Sequence, residues 1–213
     1  YIACASGNIG ITLLLLYKGA AVYKADKDGT TPLYVACHSG HVDVARLLLD
    51  KGADVNQAKK GGFTPLYIAC LNGHADVVRL LLDKGAEIDL SNDEGATPLH
   101  VACYHGHVDA AQLLLDNGAN VDKETSNGKT PLYVACSEGY TNIVHILLDN
   151  CAIINNKEIR IAYEKCYTNI VKLLIKTQEQ IVTDYREALN VTQLKQKIKT
   201  QEQIVTDYRE ALN

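Results

Sequence analysis

The stretch TPLYVACHSGHVDVARLLLDKGADVN, residues 31–56, decides how this chain is built, because close variants of it follow at a constant interval. Its opening Thr-Pro-Leu returns at Thr64, Thr97 and Thr130, each 33 residues after the last. The prolines of these four copies are the only prolines in the chain. A fixed period of this length indicates an array of stacked structural repeats.

Each repeat reads as two short helices followed by an extended turn. Thr31 suits a helix N-cap, Pro32 suits the first helical position, and Gly40 ends that helix. A second helix is predicted over residues 42–51, whose valines, alanine and leucines form an apolar face. Residues 57–63 are polar and contain glycine, which predicts a β-turn or hairpin before the next Thr-Pro. One such pair of helices cannot bury its own apolar face, so neighbouring pairs must stack.

The repeated text resembles the ankyrin repeat over about residues 1–176. The resemblance implies an all-α ankyrin-repeat solenoid, in which stacked helix pairs carry β-hairpin loops. The array would hold a truncated first repeat, four regular repeats and a degenerate last repeat. In the last repeat, near residues 157–176, Thr168-Asn169-Ile170-Val171 follows its counterpart by only 27 residues. Just before this repeat, Cys151 stands where earlier repeats have glycine.

The cysteines are predicted to be packing residues. Five of the seven cysteines recur at the repeat period and form a ladder along the array. Neighbouring cysteines of this ladder would lie on the order of 10 Å apart, whereas a disulfide needs Cα atoms within about 7 Å. The same spacing prevents thiolates from converging on zinc. Small buried thiols in this number favour a reducing, cytoplasmic location. Cys151 and Cys166 lie outside the ladder and remain unexplained. The ladder is Cys4, Cys37, Cys70, Cys103 and Cys136.

No group of residues in the sequence has the pattern of a catalytic, metal or cofactor site. His41, His74 and His107 each follow a glycine, and His100 replaces a tyrosine. The resemblance to ankyrin repeats implies that these histidines make structural hydrogen bonds. The His-x-His formed by His105 and His107 lacks a third ligand at a diagnostic spacing. The chain is therefore predicted not to be an enzyme and to need no cofactor or metal.

Charge and hydropathy narrow the classes of partner. The net charge is −4 with both signs mixed, which argues against nucleic acid. No apolar run reaches the ~18–20 residues that span a membrane, so no membrane insertion is expected. The apolar residues 9–16 align with the second helix of a repeat, which makes a signal peptide the weaker interpretation. The absence of methionine suggests a fragment or a processed chain.

The candidate contact surface consists of positions that vary between repeats, at the hairpin tips and at the ends of the first helices. In ankyrin repeats these positions make the concave contact surface. Phe63, the only phenylalanine, lies at a tip beside Gly61-Gly62, where it is either an exposed binding hot spot or a cover for a neighbouring hairpin. The predicted partner-binding residues are Lys27, Asp28, His38, Lys60, Phe63, Leu71, Asn72, Asp93, Glu94, Tyr104, His105, Asn127, Lys129 and Glu138.

Residues 177–213 are predicted to form an amphipathic helical tail with a duplicated segment, because residues 199–213 repeat residues 176–190 letter for letter. On one straight helix, the second apolar stripe would be turned about 140° from the first. Either the tail reverses near residues 190–192, or each stripe serves a different neighbour. The stripes are Ile181, Tyr185, Ala188 and Leu189, and Ile204, Tyr208, Ala211 and Leu212. The tail could cap the array, associate with itself, or occupy a groove.

The predicted function is a protein–protein interaction module that binds an unidentified protein through the concave face. Two alternatives stay open at this point. One is a structural or assembly protein that oligomerises through the duplicated tail. The other is a regulatory repeat domain of a larger enzyme.

Overall fold

The computed structural model describes the backbone of residues 1–211 and the side chains of residues 1–187, 189 and 196. The chain divides into two compact units, Tyr1–Ile170 and the part that begins at Val171. The predicted boundary after residue 176 lies less than about two helical turns beyond this division. The helices of the described residues are α1 (Ile2–Ala5), α2 (Ile9–Tyr17), α3 (Pro32–His38), α4 (Val42–Asp50), α5 (Pro65–Leu71), α6 (Ala75–Asp83), α7 (Pro98–His105), α8 (Val108–Asp116), α9 (Pro131–Glu138), α10 (Thr141–Asp149), α11 (Asn156–Glu164) and α12 (Thr168–Ala211).

The first helix of each regular repeat begins at its Thr-Pro, as predicted. The Oγ1 of Thr31 accepts a hydrogen bond from the Tyr34 N–H at 3.0 Å, which satisfies one of the free donors in the first helical turn. Thr64 does the same for Tyr67 at 3.1 Å. The proline that follows occupies a position where a missing N–H costs nothing. The four Thr-Pro pairs therefore fix where these helices start.

The helices stack in two rows, first helices on first helices and second helices on second helices. The row α1, α3, α5, α7, α9 and α11 is continuous, and so is the row α2, α4, α6, α8 and α10. Each regular repeat places a leucine in the first turn of its first helix, directly after the proline, and all four leucines are fully buried. These are Leu33, Leu66, Leu99 and Leu132. The core is thus a one-dimensional series of equivalent layers.

The five ladder cysteines are all buried and free, as predicted. Burial raises the pKa of the Cys136 thiol to about 12. Burial likewise raises the pKa of Cys37, Cys70 and Cys103, because an ionised thiolate would lose its hydration inside the stack. These thiols stay protonated and serve as small apolar residues.

The second unit is the continuation of α12 from Val171 onward. This helix runs without a break to Ala211, so the alternative in which the tail reverses near residues 190–192 is wrong. The physical reason is that residues 140–213 contain neither glycine nor proline. The side chains of Ile181, Tyr185 and Leu189 are exposed within this unit. Ala188 and the second predicted stripe, residues 204–212, lie outside the described side chains.

No helix in the described part of the chain is both long enough and apolar enough to cross a membrane.

Candidate partner-binding surface

The hairpin tips between repeats share one closed turn. In each tip, a backbone N–H donates to the carbonyl four residues later: Lys59 to Phe63 at 3.0 Å, and Asn92 to Ala96 at 3.0 Å. The side chain of Asn92 reinforces its own tip, because its Oδ1 accepts from the N–H groups of Glu94 and Ala96 at 3.1 and 2.9 Å. Each tip is therefore a defined turn rather than a loose loop.

Successive tips are joined to one another by backbone hydrogen bonds. The N–H of Lys60 donates to the Asp28 carbonyl at 2.8 Å, and the N–H of Asp93 donates to the Gly61 carbonyl at 3.0 Å. The Ser126 N–H donates to the Glu94 carbonyl at 2.9 Å. These bonds form a ladder across the four tips, so the side chains on it stand at a fixed spacing.

One glycine is required by the close approach of two tips. Gly62 has φ +79°, and a Cβ on it would lie 2.8 Å from the Cα of Asn92 in the next tip. A side chain at this position would push the two tips apart and lengthen the bond between Asp93 and Gly61. Position 62 thus belongs to the framework of the surface.

The ends of the first helices carry the second half of the predicted site. Tyr104 is 53% exposed, and its ring meets the ring of His105 edge-on at 5.0 Å between centroids. His105 in turn stacks on His107 at 6.0 Å. Asn72 is tied back to its own helix, because its Nδ2 donates to the Ile68 carbonyl at 2.9 Å. The aromatic pair Tyr104–His105 is the largest ring surface among the predicted site residues.

Most of the predicted partner-binding residues are solvent-accessible. Ten are exposed, namely Lys27, Asp28, His38, Lys60, Asp93, Glu94, Tyr104, His105, Asn127 and Lys129. Four are half-buried, namely Phe63, Leu71, Asn72 and Glu138. The backbone ladder brings the tip residues together, while His38, Leu71, Asn72, Tyr104, His105 and Glu138 lie on α3, α5, α7 and α9 or directly after them. Their role in binding stays a prediction.

Phe63 lies folded over its own hairpin. Its ring meets the Tyr67 ring edge-on at 5.2 Å, and a Cβ added to Gly61 would lie 2.6 Å from the Phe63 ring. The ring therefore covers the backbone of Gly61 and is only partly exposed. These contacts are with its own hairpin and with α5, rather than with a neighbouring hairpin, and a role of Phe63 in binding stays a prediction. Sequence patterns could not decide where the ring lies, because the same tip position can point outward or inward.

The histidines that follow glycine make structural hydrogen bonds, as the resemblance to ankyrin repeats implied. His41 donates from Nε2 to the Ala5 carbonyl at 2.9 Å, and His74 donates to the His38 carbonyl at 3.0 Å. His107 makes the equivalent bond to the Leu71 carbonyl at 3.1 Å. Each bond links one repeat to the end of the first helix of the preceding repeat.

His100 also has a structural position. It lies in a capping box with Thr97, and its Nε2 donates to the Lys129 carbonyl at 3.0 Å in the next tip. Burial lowers the pKa of this histidine, because the imidazolium would be poorly solvated there. Across the residues whose side chains are described, no group of three or more His, Cys, Asp or Glu side chains could hold a metal ion.

A solenoid of helix pairs, with hydrogen-bonded hairpin tips along one edge and a histidine link between repeats, defines a repeat protein of the ankyrin class. A family model for ankyrin repeats in three copies matches residues 1–92 and 85–160. The chain belongs to the ankyrin-repeat family. Ankyrin repeats are in general protein–protein interaction modules and typically not enzymes. A search of curated proteins gave no match.

Proposed function

We propose that this chain binds a protein partner through the concave surface formed by the hairpin tips and the ends of the first helices. The observation that carries the proposal is the ladder of backbone hydrogen bonds joining the tips at Asp28–Lys60, Gly61–Asp93 and Glu94–Ser126. A surface that is already ordered loses little conformational freedom on binding, so its contacts contribute more fully to affinity.

The charges on the middle tips give this surface a chemical character. Lys60 is exposed on one tip, and Asp93 and Glu94 are exposed on the next. Among the described residues these three side chains form no ion pair within 4.0 Å. They are therefore free to pair with a partner, and their opposite signs would set its orientation.

Tyr104 supplies the apolar anchor of the proposed site. Tyrosine offers a large contact area with few rotatable bonds, and such residues dominate binding energy in many interfaces. Its ring is exposed while the neighbouring His105 ring supports it. We expect binding energy to concentrate at Tyr104 and at the acidic tip.

The experiment selects binders from a displayed protein library and compares two variants with matched charge. The test variant carries Asp93→Lys and Glu94→Lys on the tip. The control carries Asp76→Lys and Asp83→Lys on the exposed side of α6, which gives the same change in net charge. A third variant carries Tyr104→Ala.

Selected binders should lose more than about tenfold in affinity for the tip variant and for Tyr104→Ala, but less than about threefold for the control. Circular dichroism melting should show that all three variants remain folded. The proposal is wrong if most binders respond to the α6 variant and ignore the tip variant.

We also propose an intracellular, reducing location for this chain. The support is that all seven cysteines are free, and that five are buried at the repeat period. Mass spectrometry after rapid thiol alkylation in cells that express the chain would test this. Cys151 and Cys166, which are exposed, should be alkylated; their recovery as disulfides would contradict the proposal.

A further inference from the structure

The outer face of the second helix is polar in the regular repeats but apolar in the first repeat. In α4 this face holds Asp43, Arg46 and Asp50, all exposed. The equivalent residues of α6 are Asp76, Arg79 and Asp83, and those of α8 are Asp109, Gln112 and Asp116. In α2 the same three positions hold Gly10, Leu13 and Tyr17. Leu13 is 50% exposed and Tyr17 is 84% exposed.

The position of α2 in the first described repeat does not account for this face. Ile11 and Leu15 correspond to the buried Val44 and Leu48 of α4, so they are exposed because nothing stacks on that side of them among the described residues. Leu13 and Tyr17 correspond to positions that are solvent-facing in α4 and α6 as well. The result is a helix that is apolar on all sides, and such helices are normally covered on all sides.

The surface beside this face forms a groove. Its volume is about 720 Å³, and its lining includes Gly10, Leu13, Tyr17 and Tyr23. Among the described residues, Lys51 is the only charged side chain in this lining. Lys24 lines an adjoining groove of about 450 Å³, where it too is the only charged side chain that the structure describes. The surface is therefore apolar, with a rim of two lysines, Lys51 and Lys24. An apolar helix flanked by acidic residues would complement both its apolar area and its charge.

Within its own unit, α12 presents a segment with that chemistry. Ile181, Tyr185 and Leu189 are exposed at spacings of four residues and so lie along one side of the helix. From Ile181 to Leu189 this stripe is about 12 Å long, as is α2 from Ile9 to Tyr17. The acidic residues of the segment are exposed and outnumber its basic ones. They are Glu179, Asp184 and Glu187, against Lys176 and Arg186.

We propose that two copies of this chain associate head to tail, with the α12 stripe of one copy packed against the outer face of α2 of the other. The occupant is assigned by three matches: apolar surface on both sides, equal length, and acidic residues opposite a lysine rim. The contact is of the helix-in-groove kind. Because the two surfaces differ, each dimer keeps one free α2 face and one free α12 stripe, and association can continue. This assembly uses none of the residues of the concave surface.

The first test gives α2 the residues that α4 has at the same positions, as Leu13→Arg with Tyr17→Asp. Four repeats tolerate polar residues there, so the fold should be preserved, and circular dichroism melting checks this. Sedimentation velocity over a concentration series should show association of the unchanged chain. The variant should associate at least about tenfold more weakly. Association should also weaken as salt is raised, because the lysine rim and the acidic stripe are screened.

The second test changes the helical stripe, as Tyr185→Lys with Tyr208→Lys. Both positions are changed because residues 199–213 repeat the sequence of residues 176–190. The stripe variant alone should be monomeric, like the α2 variant alone. When the two variants are mixed, the intact α12 of one and the intact α2 of the other should restore association. This association should stop at a dimer, or at a trimer if both duplicated segments of α12 are used.

Three outcomes would overturn the proposal. The first is an unchanged chain that stays monomeric up to about 100 μM, since a contact of this size should be seen at that concentration. The second is association that survives either variant. The third is failure of the mixed variants to form a dimer, which would mean that α2 packs against α2, or α12 against α12.

Discussion

The regular repeats and the C-terminal end of the array, from Cys151 onward, follow the same backbone path with different residues. Gly118 ends a second helix with φ +85°, and Cys151 does so one repeat later with φ +62°. Gly139 has φ +83° in the turn between the two helices, and Cys166 has φ +60° at the equivalent place. In the regular repeats glycine takes up this left-handed conformation at no steric cost. After α10 and after α11, a cysteine is held in it.

The comparison teaches that packing between repeats imposes the left-handed turn conformation. Glycine only lowers the steric cost of adopting it. A non-glycine residue in the left-handed region costs roughly 1–2 kcal/mol. The end of the array carries this cost at two positions, after α10 and after α11, and still forms both turns. Contacts with the neighbouring layer must therefore outweigh the local preference of the residue.

The largest expected effect comes from adding one carbon where a turn packs against the next repeat. A Cβ on Gly73 would lie 2.5 Å from Nδ1 of His107, the ring that holds the Leu71 carbonyl. Gly73→Ala should lower the free energy of unfolding by about 3 kcal/mol, from left-handed strain and the loss of this hydrogen bond. Urea denaturation measures it.

The matched control is Gly85→Ala, because Gly85 has a similar φ of +80° and nothing within 4 Å of an added Cβ. This change should cost only about 1 kcal/mol of conformational strain. Equal losses for Gly73→Ala and Gly85→Ala would show that packing on His107 adds nothing.

The second effect concerns a buried carboxylate that distinguishes the last repeat. Glu158 is fully buried at the position where the regular repeats have tyrosine or His100. Its Oε1 accepts from Thr130 Oγ1 at 3.1 Å, and its Oε2 accepts from the Asn155 N–H at 2.9 Å. Glu158→Ala leaves both donors unpaired and should cost about 2–3 kcal/mol. Hydrogen exchange of the α11 amides should speed up most.

Glu158→Gln provides the comparison for this change, because it keeps the shape and one acceptor oxygen. Its loss of unfolding free energy should be clearly smaller than that of the alanine variant. If glutamine and alanine are equally damaging, then charge rather than hydrogen bonding holds α11 in place.

The third prediction exchanges the residues of the two regions. Cys151→Gly should raise the free energy of unfolding by up to about 1 kcal/mol, because relief of left-handed strain exceeds the extra chain entropy of glycine. Gly118→Cys should lower it by a similar amount. Thermal melting of both variants measures the pair. Shifts of the same sign would refute the idea that the two sites are equivalent.

The smallest effect is a dependence of the unfolding free energy on pH that comes from His100. The repeats that have tyrosine at this position should not contribute to it. Burial holds the pKa of His100 below its ordinary value of 6.5. The unfolded chain therefore takes up a proton before the folded chain does. The contribution of His100 to the free energy of unfolding is therefore complete above pH 6.5. It falls as the pH drops from 6.5 toward the pKa that His100 has in the folded chain. His100→Tyr should flatten the unfolding free energy between pH 8 and pH 5.

His145→Gln serves as the control for this pH series, since His145 is exposed on α10. This variant removes one histidine and leaves the buried imidazole of His100 in place. If His145→Gln flattens the slope as much as His100→Tyr does, burial of His100 is not the cause.

The sequence alone determined the repeat architecture because its signals are local and periodic. A threonine cap, a proline at the first helical position and a glycine after each helix act within a few residues, and the 33-residue period supplies the stacking. The period also predicted the buried cysteine ladder, whereas the structural role of His41, His74 and His107 was implied by the resemblance to ankyrin repeats. The tail reversal was a wrong alternative, since nothing in the sequence breaks α12.

The tertiary structure alone decided where particular side chains point and which surfaces stay open. Phe63 turns back over Gly61 and Tyr67, and successive tips are joined by bonds between backbone atoms that carry no sequence signal. Comparing Leu13 and Tyr17 with Arg46 and Asp50 could have revealed the apolar face of α2, but the exposure of that face needed the stacked layers. Local preferences fix the elements, whereas exposure and direction depend on the contacts made by the neighbouring repeat.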